Sequence, residues 1–285
     1  MMIGTRRNLA ERLFWSAALF AALFFLVAPS LLIVVTAFRP NVEVLAKPPI
    51  FLPQNPTLIN FQSILGLLPT PGIEVYRYFW NSLVVSMTST FIALIVGTMG
   101  GYAFARFRFR GKGAIFLFLM LARAVPGIAL SLPIFILWSR LGLIDTQLGL
   151  IIVYLVLNIP FTVWLTDGFF RQIPVDLAEA AQIDGCTRWQ AFWRVEFPLA
   201  KGGLAAAAIF AFLLSWNEFA LASQLTRSQA SKTMPVSLLD FTSQFTVDWA
   251  GMCALAVIII LPALLLTFAA QRYLIAGLTF GGVKG

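Results

Sequence analysis

From Leu13 to Phe38 the chain runs without a charged side chain, and stretches of this kind recur toward its end. A helix needs about 20 consecutive apolar residues to cross the hydrocarbon core of a bilayer. Six segments meet that length, near 13–37, 80–105, 114–139, 147–169, 203–223 and 251–271. They must be helical, because lipid offers no partner to a free backbone N–H or C=O. The chain has 285 residues, 60% hydrophobic and 11% charged, more apolar surface than a soluble domain of this length can hide. The expected fold class is an all-α polytopic membrane protein with six transmembrane helices. The first run is too long for a signal-peptide core and has no clear small-residue cleavage site, so it reads as a retained span.

The net charge is +8, but the basic residues are scattered between apolar runs and leave no nucleic-acid footprint. With six spans the polar segments alternate sides. One side collects Arg6, Arg7, Arg12, the run Arg106–Lys112, Arg171, Arg188, Arg194, Lys201, Arg272 and Lys284, 13 basic residues in all. The other side holds six: Arg39, Lys47, Arg77, Arg140, Arg227 and Lys232. Lysine and arginine favour the cytoplasm, so both termini and Arg171–Lys201 are expected there. Two cysteines, Cys186 and Cys253, fall on opposite sides in this topology, beyond disulfide reach. Without histidine there is no Ser–His or Cys–His nucleophile pair, and the inventory supplies no metal cluster. Nothing reads as a Gly-rich phosphate loop, so the chain carries no ATP site of that type.

The polar interval Arg171–Lys201 reads as two short helices with a hinge. Asp176-Leu177-Ala178-Glu179 fits a capping box, placing a helix start near Leu177. Ala180 and Ala181 are good helix formers that let another surface approach closely. Gly185 stands where a helix C-terminus needs a left-handed residue. Thr187-Arg188-Trp189-Gln190 is a second capping box, after which Trp189, Phe192 and Trp193 share a face, and Pro198 is expected to stop the helix. Glu179-Ala180-Ala181, Gly185 after three more residues, then Val195 and Pro198, resembles the cytoplasmic-loop signature of ABC-importer permeases. Phe197 stands where that family usually has Leu. The resemblance implies a type I importer permease fold in which this loop is the coupling helix, seated on an ATP-hydrolysing partner. Glu179, Ala180, Ala181, Asp184 and Gly185 then carry the coupling.

Several polar residues stand inside the spans. Arg123 precedes Pro126-Gly127 in the third; it serves a solute path or a partner, or else a structural ion pair or snorkelling. Asn158-Ile159-Pro160 in the fourth reads as packing or path. Trp216, Asn217 and Glu218 offer an indole, an amide and a carboxylate, the groups a sugar site uses; alternatively Glu218 only reaches the outer interface. Gly97-Thr98-Met99-Gly100-Gly101 and Gly202–Ala208 read as close helix packing. The seven prolines of 39–79 forbid a further spanning helix and suggest an extended external cover. The aromatics of Tyr78-Phe79-Trp80 suit an interfacial belt. The loop Gln224–Trp249 reads as external, a contact for a binding protein or a solvated connection.

The ending Gly277–Gly285 resembles the tail of the smaller permease of maltose-type importers, and the resemblance covers the chain from about Arg77. It implies three regions: 1–76, with the first span and a Pro-rich external loop; a permease core, 77–272, with the coupling loop at 171–202; and a cytoplasmic tail, 273–285. It further implies a carbohydrate permease of the bacterial or archaeal cytoplasmic membrane, with glycerol phosphate or another small polar solute as the alternative. Its partners would be a second permease, two ATPase subunits holding ATP and magnesium, an extracytoplasmic solute-binding protein and membrane lipid. A membrane enzyme is disfavoured because Asp167 and Glu218 lie on different helices near opposite faces. A lone channel or secondary transporter would not explain the helix–Gly–helix loop, and no inverted halves are visible.

Overall fold

The computed structural model describes residues 9–50, 52–68, 75–243 and 246–279. The expected roles of Arg6, Arg7, Lys284 and the last residues of the tail fall outside them. Among the described residues there is no strand, only an isolated bridge between Thr242 and Val247. Five helices are long and apolar enough to cross a membrane, or six when one bent pair is counted as a single span. The chain divides into two units, Met1–Ile73 with Asp240–Ile258, and Glu74–Leu239 with Ile259–Gly285.

The smaller unit begins with α1, Leu9–Ala37, which keeps its course through Pro29. The Pro-rich stretch after it is not simply extended: it forms α2, Asn41–Val44, and α3, Ile59–Ile64. The prolines lie outside these short helices, and Glu43 ties the segment together. Its carboxylate accepts from the backbone N–H groups of Gln54 at 3.1 Å and Asn55 at 3.0 Å. Burial alone would raise the Glu43 pKa, but these bonds, with the Asn55 amide and the Arg39 guanidinium, hold it below the usual range.

The larger unit is built on α4, Val75–Arg106. There follow α5, Lys112–Ala124; α6, Gly127–Leu141; and α7, Gln147–Gln172. The third span, expected over 114–139 with a kink at Pro126, is therefore not one continuous helix. It breaks at Val125-Pro126, and α5 and α6 meet at 94°. Proline bars the preceding residue from the α region, and Val125 is extended (φ −72°, ψ 123°). The loop helices α8, Val175–Ile183, and α9, Arg188–Ala191, lead through a wide π turn, Phe192–Glu196, into α10, Phe197–Trp216. Then come α11, Ala220–Leu225, and α12, Met234–Ser237. The last helix, α13, Trp249–Thr279, begins in the smaller unit and continues into the larger.

The core of the larger unit is the contact of α4, α7 and α10. Glycine makes the approach possible: a Cβ on Gly101 would lie 2.7 Å from the Asp167 backbone nitrogen, and one on Gly100 would lie 2.9 Å from Val163. On α10, Gly203 abuts the Phe169 ring. Hydroxyls cross the gap. Thr166 Oγ1 donates to the Gly97 carbonyl at 2.9 Å, and the Ser89 and Ser215 hydroxyls meet at 3.0 Å.

The loop after α11 is less solvated than its polarity suggests. Asn81 Nδ2 donates to the carbonyls of Gln229 and Lys232, both at 2.9 Å, and Met234 N donates to Ser82 Oγ at 2.7 Å. Met234, Pro235, Val236 and Ser237 are buried. Asp145, in the α6–α7 turn, accepts from the backbone N–H groups of Arg227 and Ser228 at 2.8 and 2.9 Å and from the Ser231 hydroxyl. Burial would raise its pKa, but these donors outweigh burial and hold the carboxyl well below the ordinary range.

Candidate functional site

Two places in the larger unit gather the residues singled out by sequence. The first is α8–Gly185–α9. The helix begins earlier than expected: Pro174 is the N-cap, and no side chain caps it. The Asp176–Glu179 capping box is therefore absent. Asp176 lies in the first turn instead, where its carboxylate faces the positive end of the helix dipole. The C-terminus is as expected. Gly185 has φ +90°. Cys186 N donates to Ala181 O at 2.9 Å and Gly185 N to Gln182 O at 3.1 Å, the paired bonds of a Schellman turn. The second capping box is complete, with Gln190 N on Thr187 Oγ1 at 3.2 Å and Thr187 N on Gln190 Oε1 at 2.8 Å.

Pro198 does not end this helix; it stands in the first turn of α10. The chain stays helical from Arg188 to Trp216, and in the π turn before the proline Phe197 N reaches back five residues to Phe192 O, a widening that accommodates the ring. The face shared by Trp189, Phe192 and Trp193 forms as predicted, with Trp189 stacked on Phe192 at 5.5 Å. Phe192 is buried while Trp189 stays 56% exposed.

Glu179, Ala180, Asp184 and Gly185 are exposed, and Ala181 is half-buried. Beside them Ile183 is 86% exposed, an apolar tip that the sequence reading passed over. An unpaired isoleucine at the end of a short polar helix was the available signal. At the base of the loop Glu196 is fully buried and accepts from Tyr102 Oη at 2.7 Å and from Arg106 Nε. Sequence reasoning missed this cluster, whose partners are 90 or more residues apart.

The second place is a cavity of about 370 Å³ between the α5–α6 break, α7 and the end of α10. It brings Arg123, Asn158 and Glu218 together with Tyr154, Ser215 and Pro126. Arg123 projects from the last turn of α5, its guanidinium 4.3 Å from the centre of the Phe161 ring. Asn158 is buried and donates through Nδ2 to Ser215 Oγ at 2.6 Å. Trp216 and Asn217 stand apart from this lining. The Trp216 indole stacks on Phe212 at 5.6 Å and donates to Ile259 O at 3.0 Å, and Asn217 caps α10.

The fifth span also ends sooner than the expected 203–223, because the chain turns at Asn217 and restarts as α11. Glu218 makes that restart possible. Its two oxygens accept from Leu221 N and Ala222 N, each at 2.9 Å, so the carboxylate acts as a helix cap as well as a cavity wall. Glu218→Ala is expected to cost about 1 kcal/mol locally and to speed amide exchange at Leu221 and Ala222, with Glu218→Gln milder. Unchanged exchange at Leu221 in the alanine variant would refute the capping role.

A family model described as "Binding-protein-dependent transport system inner membrane component" matches residues 93–279. The chain belongs to that family: it is a permease subunit of the ABC-transporter class, a transport component and not an enzyme. Its relatives include the probable ABC transporter permease protein y4oR of Sinorhizobium fredii, 39% identical over 280 residues, covering 98% of this chain and 97% of that one. The trehalose transport system permease protein SugB of Mycobacterium tuberculosis is 38% identical over 232 residues, 81% of this chain and 84% of its own. Among solved structures, a bacterial ABC transporter involved in alginate import superposes with a TM-score of 0.78. It covers 94% of this chain and 99% of its own at 20% identity, so it shares the fold. The six-span type I permease architecture stands, with its third span bent.

Proposed function

We propose that this chain is one half of a two-permease pore that carries a carbohydrate across the cytoplasmic membrane. The coupling element carries this reading: a helix, a left-handed Gly185 turn and a capped second helix, with Glu179, Ala180 and Ile183 exposed for a partner. Two ATPase subunits, holding ATP and magnesium, dock on this element and its counterpart in the second permease, with Asp184 and Ala181 completing the contact. Both termini and the loop 171–202 face the cytoplasm, in keeping with the excess of Lys and Arg there. A binding protein delivers solute from the other side. The divisions at 76 and 272 mark where the permease core begins and ends.

The solute class is supported by a relative named for trehalose transport and by a structural neighbour involved in alginate import. The cavity agrees with it. Hydroxyl, amide and carboxylate groups from Ser215, Asn158 and Glu218 stand among apolar walls, with Trp216 and Asn217 at the adjoining helix end. A phosphorylated solute would call for more than the one guanidinium of Arg123, which already lies against Phe161. In the mechanism, ATP-driven closure of the ATPases draws the coupling helices together, and the spans joined to them switch the cavity between the two faces. The ATPase state must therefore favour one of two conformations.

The test is uptake by the complex of this chain with its second permease, ATPase and binding protein, reconstituted in vesicles. The expected result is ATP-dependent accumulation of a member of a panel holding trehalose, other disaccharides and alginate oligosaccharides. Accumulation of glycerol phosphate with no carbohydrate would overturn the substrate class.

A further inference from the structure

The coupling loop is attached to the spans by its two ends. One end leaves α7 at Ile173, and the other enters α10 through the π turn that closes at Glu196. A displacement applied at α8 reaches both spans only if those ends hold their spacing; otherwise the base of the loop flexes and absorbs it. Apolar packing brings the ends together, with Phe170 at 6.1 Å from Phe192, but apolar contacts can slide. A directional polar bridge from a third element spans both ends. Arg106, in the last turn of α4, places Nε on the Glu196 carboxylate and Nη2 on the Ile173 carbonyl at 2.9 Å. We propose that Arg106 is a positioning residue that clamps the base of the coupling loop, and that its bridge between Glu196 and Ile173 makes the loop transmit motion as a rigid body.

Three features favour a clamp over a chance surface pair. Glu196 is 0% exposed, and the Arg106 side chain is 10% exposed, so the pair is shielded from water and screening. The second carboxylate oxygen is also committed, to Tyr102 Oη at 2.7 Å. Tyr102 packs against Phe192 at 4.5 Å and Phe170 at 5.3 Å, so one ring touches the π turn and the end of α7 together. The planar guanidinium suits this position because it directs two donors at once, which a lysine ammonium on a single point cannot reproduce.

The inference rests on the coupling role assigned to α8–α9, and the experiment separates the two. The complete complex is placed in nanodiscs, and basal ATP hydrolysis is compared with hydrolysis in the presence of the binding protein and its transported solute. Arg106→Gln should keep basal hydrolysis within about twofold while the stimulation falls at least about tenfold, a change near 1.4 kcal/mol in the coupled step. Arg106→Lys, which can hold Glu196 alone, should fall between. Amide exchange over residues 173–197 should rise in the same order.

Arg171→Gln is the structural control. Arg171 pairs with Asp167 at 2.8 Å within α7 and donates to the Phe104 carbonyl of α4 at 3.3 Å, so it ties α7 to α4 without reaching the π turn. It should lower the thermal midpoint with stimulation intact. Full stimulation in Arg106→Gln, with exchange showing the base opened, would overturn the clamp. So would failure of both Arg106→Gln and Arg106→Lys to assemble, which would make the pair a folding element. A wild-type complex that binds ATPase but shows no solute stimulation would instead overturn the coupling reading itself.

Discussion

Gly185→Val is expected to leave membrane insertion and binding-protein docking intact and to abolish solute-stimulated ATP hydrolysis. The effect is conformational rather than steric. A Cβ at this position would meet nothing within 4 Å, so there is room for a side chain. The backbone is the obstacle: φ is +90°, a region in which an L-residue costs roughly 1–2 kcal/mol, and a β-branched residue fares worse. The Schellman bonds from Gly185 and Cys186 to Gln182 and Ala181 depend on that φ. Losing them frays the end of α8 and changes the angle at which α9 leaves. The face made by Glu179, Ala180 and Ile183 then no longer has a fixed position. Gly185→Asn separates this account from a loss of side-chain space, since asparagine tolerates the left-handed region and should retain much of the stimulation. The measurement is ATP hydrolysis by the reconstituted complex with and without binding protein and solute. Normal stimulation in the valine variant would falsify the hinge.

Gly101→Val should have the larger effect on the fold, preventing the chain from accumulating in the membrane. Here space is the obstacle. The new Cβ would stand 2.7 Å from the backbone nitrogen of Asp167 and against the Thr166 side chain. A backbone atom in a neighbouring helix cannot rotate away, so α4 and α7 would have to separate. Separation breaks the bond from Thr166 Oγ1 to the Gly97 carbonyl and disturbs the line of hydroxyls through Ser89 and Ser215 to Asn158. Overpacking alone costs about 1–3 kcal/mol, and orphaned polar groups in a bilayer add to it. Against a net stability of about 5–15 kcal/mol that sum is severe. Gly101→Ala should be milder, and Gly113→Ala, where a Cβ meets nothing within 4 Å, should be neutral or slightly stabilising. Yield in the membrane and the thermal midpoint of the detergent-solubilised chain read the series. Equal midpoints for the Gly101 and Gly113 variants would show that the helices do not depend on this contact.

The two glycines show how far local rules reach. Gly185 was legible as a hinge because its conformation is set locally: a helix end, a left-handed residue and a following capping box all lie within a dozen residues. Thr187–Gln190 was legible for the same reason. Gly97, Gly100 and Gly101 announced a close approach, but not that the partner was Thr162, Val163 and Thr166. Asp176 and Pro198 were misread because each obeys a local rule that a neighbour overrode. Pro174 had already started the helix, and the π turn allowed Pro198 to open α10 instead of closing α9. Glu218 was legible as a polar residue near the end of a span, while its capping of α11 depends on the chain restarting at Ala220.

By itself the sequence determined that this chain crosses a membrane several times as helices, because a bilayer leaves an apolar run no other way to satisfy its backbone. It also determined the helix–glycine–helix form of the loop after α7, which is written in residues close together along the chain. Only the tertiary structure decided that the third span breaks at 94° and that Arg123, Asn158 and Glu218 share one cavity. It alone joined Arg106 to Glu196, and Asp145 to Ser231. Such pairs cannot be read from sequence, because hydrogen bonds between residues about 90 positions apart depend on where packed helices place their ends, and many chains of the same polarity pattern would place them elsewhere.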